Sequence, residues 1–364
     1  MQKFKHIKDW YERYERRLST GSLLFGFIFD SLTLQRIDAL RENLWIALNL
    51  GVVAICIVLL NRRRGSGGES PEDRAREHFW LFNILQFGFG ALLGGFFVFY
   101  FRSATLAAAW PFLLLLLSAM VANELFVKRY TRLAFQISFF YLSLFSFAIF
   151  LLPILLHRIG PWIFFLSGLV SLGALYLFSL VLKRFAAEQF KESWKFLARS
   201  VAAIFLVVNI LYFTNLIPPI PLSLQDAGIY HTLVRDAYSG NYVVAGEEKS
   251  LLRYFHLREK VRLVPGESLF AYSAIYSPAS LDTRIIHEWQ YRNEKGEWVT
   301  ATRIPFFLSG GRAGGFRAYS TKSHLTPGLW RVNVATPQGQ LIGRLNFRVI
   351  SADTRPPLIY MVKN

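Results

Sequence analysis

Leu133-Ala-Phe-Gln-Ile-Ser-Phe-Phe-Tyr-Leu-Ser-Leu-Phe-Ser-Phe-Ala-Ile-Phe-Leu-Leu-Pro-Ile-Leu-Leu156 carries no charged side chain from end to end. A helix crosses the ~30 Å hydrocarbon core of a bilayer with about 20 predominantly apolar residues, and it satisfies its own backbone hydrogen bonds where no water can. This stretch predicts a transmembrane helix. Working outward, 104–125, 79–101 and 44–60 repeat the pattern on its N-terminal side, and 161–182 and 196–216 on its C-terminal side. The last holds Arg199 in its first turn, from where a long side chain reaches back to the interface. A seventh stretch, 18–34, is shorter and includes Asp30. It follows a long charged segment and has no small-residue cleavage site, so it reads as an uncleaved signal anchor.

Composition agrees. The 364 residues are 53% apolar, include 34 Phe and are only 18% charged, more apolar surface than a soluble core of that size buries. The formal charge of +17 is spread as short basic runs between apolar stretches, which excludes a nucleic-acid-binding face and marks topology instead. With seven spans, the segments 3–17, 62–76, 128–132 and 183–195 share one side and carry eighteen Lys and Arg. The other side holds four: Arg36, Arg41, Arg102 and Arg158. Lys and Arg are retained in the cytoplasm, so the N-terminus is expected inside and the C-terminus outside. For residues 1–17 two readings stand: a basic amphipathic helix on the inner leaflet and a solvated tail. Cys56, the single cysteine, lies within 44–60, so no intramolecular disulfide and no cysteine metal site can form.

Ionisable groups inside spans are costly and informative. Asp30, Arg102 and Arg158 are expected at one depth near the outer side, where an Asp30 ion pair with either arginine would lock helices together. Gly90 and Gly94, four residues apart, predict close helix packing within the chain or in a homo-oligomer. No series of intramembrane carboxylates or histidines suggests a proton-driven pump.

After 216 the pattern changes. Ile217-Pro-Pro-Ile-Pro-Leu-Ser223 stops helix, and 217–265 reads as a Pro-rich junction and connector with a short helix around 250–259. Strands are expected at 268–276, 284–292, 298–307, 316–320, 329–336 and 341–350, separated by turn signals such as Glu294-Lys-Gly296 and Pro337-Gln-Gly339. They predict a small all-β, sandwich-like domain over 266–350, followed by a tail, 351–364. The expected architecture is an α-helical transmembrane bundle over 18–216 and an extracytoplasmic β domain.

His287-Glu-Trp289, Arg317-Ala-Tyr-Ser-Thr-Lys322, Pro327-Gly-Leu-Trp-Arg-Val-Asn-Val334 and Gly339-Gln-Leu341 resemble the bacterial family called domain of unknown function 2914, over roughly 280–350. Leu24-Phe-Gly-Phe-Ile-Phe-Asp30 and Asn215-Leu-Ile-Pro-Pro-Ile-Pro-Leu222 are similar to its multispan members. The resemblance implies a multi-pass protein of the bacterial inner membrane, with the domain periplasmic or extracellular, and supplies no chemistry.

Trp289 and Trp330 are expected in the sandwich core. His287 shares a strand face with Trp289 and is expected as a satisfied histidine, ligand contact being the other reading. No catalytic constellation, metal-ligand spacing or cofactor motif stands out, and Gly310-Gly-Arg-Ala-Gly-Gly315 lacks the Lys of a phosphate loop. From 284 to 348, ten Lys and Arg face three Glu, a net +7. That balance points to an anionic lipid, an acidic glycan or an envelope protein as partner, with Arg312 and Arg317 as the chosen contacts. Two function classes follow: a membrane-anchored binding or accessory protein, and a membrane enzyme or transporter working on lipid or glycan around Asp30, Arg102 and Arg158.

Overall fold

The computed structural model describes residues 40–62, 71–103, 106–125, 133–217, 219, 221–238, 240–247, 259–277, 281, 283–309 and 315–363; at 40, 71–79, 102, 103, 106–109 and 122–125 it describes the backbone alone. The segments 1–17 and 18–34 with Asp30, the side chain of Arg102, residues 250–258 and Arg312 lie outside this description. The chain divides into a helical unit and a β unit, the latter including the connector 156–160 and 215–364.

Among the described residues the helical unit has six helices: α1 (Leu40–Arg62), α2 (Pro71–Ser103), α3 (Leu106–Leu125), α4 (Leu133–Leu156), α5 (Pro161–Phe185) and α6 (Ala187–Phe213). Five are long and apolar enough to cross a membrane, while α3 is a 20-residue helix with Pro111 inside it. Pro71 and Pro161 open α2 and α5, where a missing N–H costs nothing because the first turn has no acceptor for it. α6 ends where Thr214 donates its N–H and hydroxyl to Ile210 O, and Asn215 takes a left-handed conformation (φ 59°) just before the prolines. Polar side chains in the helices turn back on the backbone: Ser138 donates to Ala134 O, Ser167 to Ile163 O and Asn209 to Phe205 O. Asn61 Nδ2 donates to Gln136 Oε1 at 2.9 Å between α1 and α4, both side chains buried.

The glycine contacts differ from expectation. A Cβ at Gly90 would meet open space, whereas one at Gly88 would stand 2.7 Å from Val53 Cγ2 of α1. The close approach lies half a turn earlier than the spacing of Gly90 and Gly94 implied. Gly94 itself is buried.

Among the described residues the β unit holds eleven strands in three sheets. The first sheet has the order β1 (Ser223–Tyr230), β5 (Leu269–Tyr276), β8 (Phe316–Lys322). The five-stranded sheet runs β4 (Glu259–Leu263), β10 (Leu341–Ser351), β9 (Gly328–Ala335), β6 (Thr283–Arg292), β7 (Trp298–Leu308). The third is β11 (Leu358–Lys363), β3 (Tyr242–Glu247), β2 (Thr232–Arg235). Pairing is antiparallel except for β4 along β10.

Burial explains the layering. Leu269 and Ala271 of β5 join Trp289, Trp330, Val332, Phe347 and Val349 of the five-stranded sheet in one core, and Ile275 joins Ile285, Val334 and Ile342 in a second. The alternate residues Tyr272 and Ala274 pack with Leu233, Tyr242 and Val244 on the other face. β5 thus lies between two sheets, which is why Leu269-Phe-Ala-Tyr-Ser-Ala-Ile-Tyr276 is apolar on both faces where a half-exposed strand alternates.

All six expected strands form within two residues of their expected bounds. The boundaries around them need correction. The supposed connector contributes β1 to β4, and position 259, expected in a helix, begins β4. The supposed tail contributes β11, which pairs with β3 from Leu358↔Glu247 to Lys363↔Tyr242.

Candidate functional site

The residues that carry the family resemblance alternate in direction, as a strand dictates. In His287-Glu-Trp289-Gln and in Trp330-Arg-Val-Asn333, the first and third residues point inward and the second and fourth outward.

Inside, His287 is fully buried, with Nε2 2.8 Å from Ser273 Oγ and Nδ1 2.9 Å from Ser320 Oγ. Trp289 Nε1 donates to the same Ser320 oxygen at 2.9 Å. Since the indole N–H can only donate, the economical assignment runs Trp289 to Ser320 to His287 Nδ1, with the single imidazole proton on Nε2 donated to Ser273. Phe306 stands edge-on to the ring at 4.7 Å. Burial lowers the His287 pKa from 6.5 to about 4, so the ring is neutral. Ser273 and Ser320 belong to one sheet and His287 and Trp289 to the facing one, so this relay ties the two layers together. A ring with no exposed surface cannot meet a ligand, which removes His287 from the contact residues.

Outside, two cross-strand rows of the five-stranded sheet are polar throughout: Arg344, Asn333, Glu288, Arg303, and beside them Asn346, Arg331, Gln290, Thr300. Glu288 accepts from Arg303 at 2.8 Å and from Thr300 and Asn333 at 3.1 Å. Burial alone would raise its carboxyl, but these donors bring it below its ordinary range. Asn333 Nδ2 also donates to Gln290 Oε1, and Gln290 Nε2 to Thr300 Oγ1. The two amides in turn hold two arginines, Arg331 Nε donating to Gln290 Oε1 and Arg344 Nε to Asn333 Oδ1, each at 2.7 Å. Arg331 also lies over the Trp298 ring, 4.2 Å from its centroid. The guanidinium of Arg331 falls to about 10, through burial first and then the neighbouring Arg344, and burial lowers Arg344 too. Three guanidinium groups surround one carboxylate, and Arg303 already pairs with it. Among the described residues, Arg331 and Arg344 have no carboxylate within ion-pair distance and their Nη groups donate to no protein atom.

Arg317 has another task. Its Nη1 lies 3.2 Å from both Gly240 O and Asn241 Oδ1, so β8 grips the turn between β2 and β3. Arg158 is exposed in the connector 156–160. Trp289 and Trp330 are both in the core, Trp330 Nε1 donating to Thr326 O. Glu288, Gln290, Arg331, Asn333 and Arg344 are not among the contacts expected from the sequence, although the two-residue period around Trp289 and Trp330 puts the first four on the face opposite the tryptophans.

Residues 282–349 match the family model described as protein of unknown function (DUF2914). No curated protein matches the chain. Among solved structures, β-glucosidase from Listeria innocua aligns at 14% identity with a TM-score of 0.20 in complex with isofagomine and 0.19 with gluconolactone, over 36% and 34% of this chain. The chain spans only 16% of that enzyme. The Pseudomonas fluorescens alkylpurine DNA glycosylase AlkC aligns at 9% identity and a TM-score of 0.22, over 87% of this chain and 100% of its own. Scores this low carry neither fold nor activity to this protein.

Proposed function

With residues 282–349 matching a family whose function is unassigned, we propose that this chain is a membrane-anchored binding or accessory protein whose β unit recognises an anionic partner through the outer face of its five-stranded sheet. The observation that carries the reading is the pair Arg331 and Arg344, held at Nε by Gln290 and Asn333 while their remaining donors have no protein acceptor among the described residues. Ordering an arginine costs side-chain entropy, and here the amide network has met that cost before any ligand arrives. Arginine forks suit carboxylate and phosphate oxygens. In this reading the chain crosses the bacterial inner membrane seven times, 18–34 included, with its N-terminus in the cytoplasm and the β unit outside. The basic residues between the spans support that orientation.

The test uses the full chain in nanodiscs of neutral lipid. It should bind anionic vesicles or an acidic polysaccharide more tightly than neutral counterparts, and more weakly as salt shortens the screening length from about 10 Å at 0.1 M to about 3 Å at 1 M. Arg331→Ala with Arg344→Ala should weaken anion binding by about tenfold or more, equivalent to about 1.4 kcal/mol. Equal binding to neutral and anionic targets would overturn the reading.

A further inference from the structure

The outer-face network also specifies which anion fits, and this inference rests on the anion-recognition reading above. We infer that Arg331 and Arg344 form a clamp for one phosphate monoester.

Geometry comes first. Arg344 stands directly opposite Asn333, and Arg331 opposite Asn346, so the two arginines occupy diagonal positions on β9 and β10. Diagonal neighbours on one sheet face are roughly 7–8 Å apart, near enough for two long side chains to meet one small group. Their orientation is set from beneath. Gln290 Oε1 receives both Arg331 Nε and Asn333 Nδ2, and Asn333 Oδ1 receives Arg344 Nε, so a single chain of amides fixes both guanidinium groups. Trp298 supports Arg331 from its ring face.

Charge then selects among anions. Glu288 is matched by Arg303 through a 2.8 Å ion pair, which leaves the +2 of Arg331 and Arg344 without a counter-charge on that face among the described residues. A carboxylate carries one charge and two oxygens, and one arginine fork satisfies it. A phosphodiester also carries one charge. A phosphate monoester carries about −1.5 to −2 at pH 7 and presents three acceptor oxygens, enough for two forks at once. The monoester is the anion whose charge and oxygen count both match. It could end a lipid, as in phosphatidic acid, or a soluble molecule.

Calorimetry on the full chain in neutral nanodiscs can separate these cases with phenyl phosphate, methyl phenyl phosphate and benzoate as probes. Phenyl phosphate should bind at least about tenfold tighter than the other two, and its affinity should rise as pH passes its second ionisation near 6. Arg331→Lys with Arg344→Lys keeps the charge and removes the fork. That variant should lose the preference among the three probes while still being drawn to anionic vesicles. Vesicles containing phosphatidic acid, compared with phosphatidylglycerol, identify the source. Binding to the former well beyond phenyl phosphate assigns a lipid headgroup, and equal binding assigns a soluble monoester; both outcomes support the clamp. Phenyl phosphate no tighter than benzoate, with anionic-vesicle binding intact, overturns the clamp and leaves anion recognition standing. Loss of vesicle preference in the unaltered protein overturns both.

Discussion

Acid should loosen the β unit by way of His287. With its pKa lowered from 6.5 to about 4 in the folded chain, the ring binds a proton less readily there than when unfolded. For a depressed histidine, the stability contributed is fully present above the unfolded value and lost as pH falls toward the folded one. The window is therefore pH 6.5 down to about 4, with a slope near 1.4 kcal/mol per unit and a total of about 3 kcal/mol. Protonation also reverses the Ser320 contact, because a charged ring donates from both nitrogens, so Ser320 Oγ must accept from both His287 and Trp289 and its own proton loses the Nδ1 acceptor. Hydrogen exchange of the β6 amides in the full chain reads the free energy of opening this layer. It should fall through that window in the unaltered protein. In His287→Gln it should be lower at pH 7.5 and flat down to the ordinary carboxyl value of 4.5, below which the stability contributed by the depressed Glu288 is lost as pH falls. An equal slope in both proteins, or none in the unaltered one, would refute the buried, neutral assignment.

Trp289→Ala removes the largest fully buried side chain among the described residues and leaves Ser320 without its indole donor, so the β unit should lose about 3–5 kcal/mol, read by the same exchange measurement. Gly88→Leu should destabilise the helical unit by about 1–3 kcal/mol through collision with Val53, while Gly90→Leu changes little; thermal unfolding in detergent compares the two. Gln136→Leu should cost about 1 kcal/mol by stripping Asn61 of its partner on α4, in the same assay. A reporter active only outside the cytoplasm should work when fused after Asn364 and fail after Arg64, and signal at the second point would remove the seven-span topology.

Apolar length and turn chemistry are local properties, so the sequence alone placed the six described helices and six of the strands. A helix in lipid needs only its own residues, and a strand with one buried face announces itself by its two-residue period. The inward course of Trp289 and Trp330 was legible for the same reason. β1, β4 and β11 were not, because Ser223-Leu-Gln-Asp-Ala-Gly-Ile-Tyr230 and Glu259-Lys-Val-Arg-Leu263 show weak alternation and gain their strand character from partners far along the chain, β5 and β10. β11 likewise depends on β3, more than a hundred residues earlier. The site lay between these cases. Period placed Glu288 beside Gln290 and Arg331 beside Asn333, but only the register of β6, β9 and β10 decided that Asn333 faces both Glu288 and Arg344. Composition showed an excess of arginine over 284–348. Tertiary structure separates the arginines, because Arg317 Nη1 reaches a turn while Arg331 and Arg344 are held at Nε by Gln290 and Asn333.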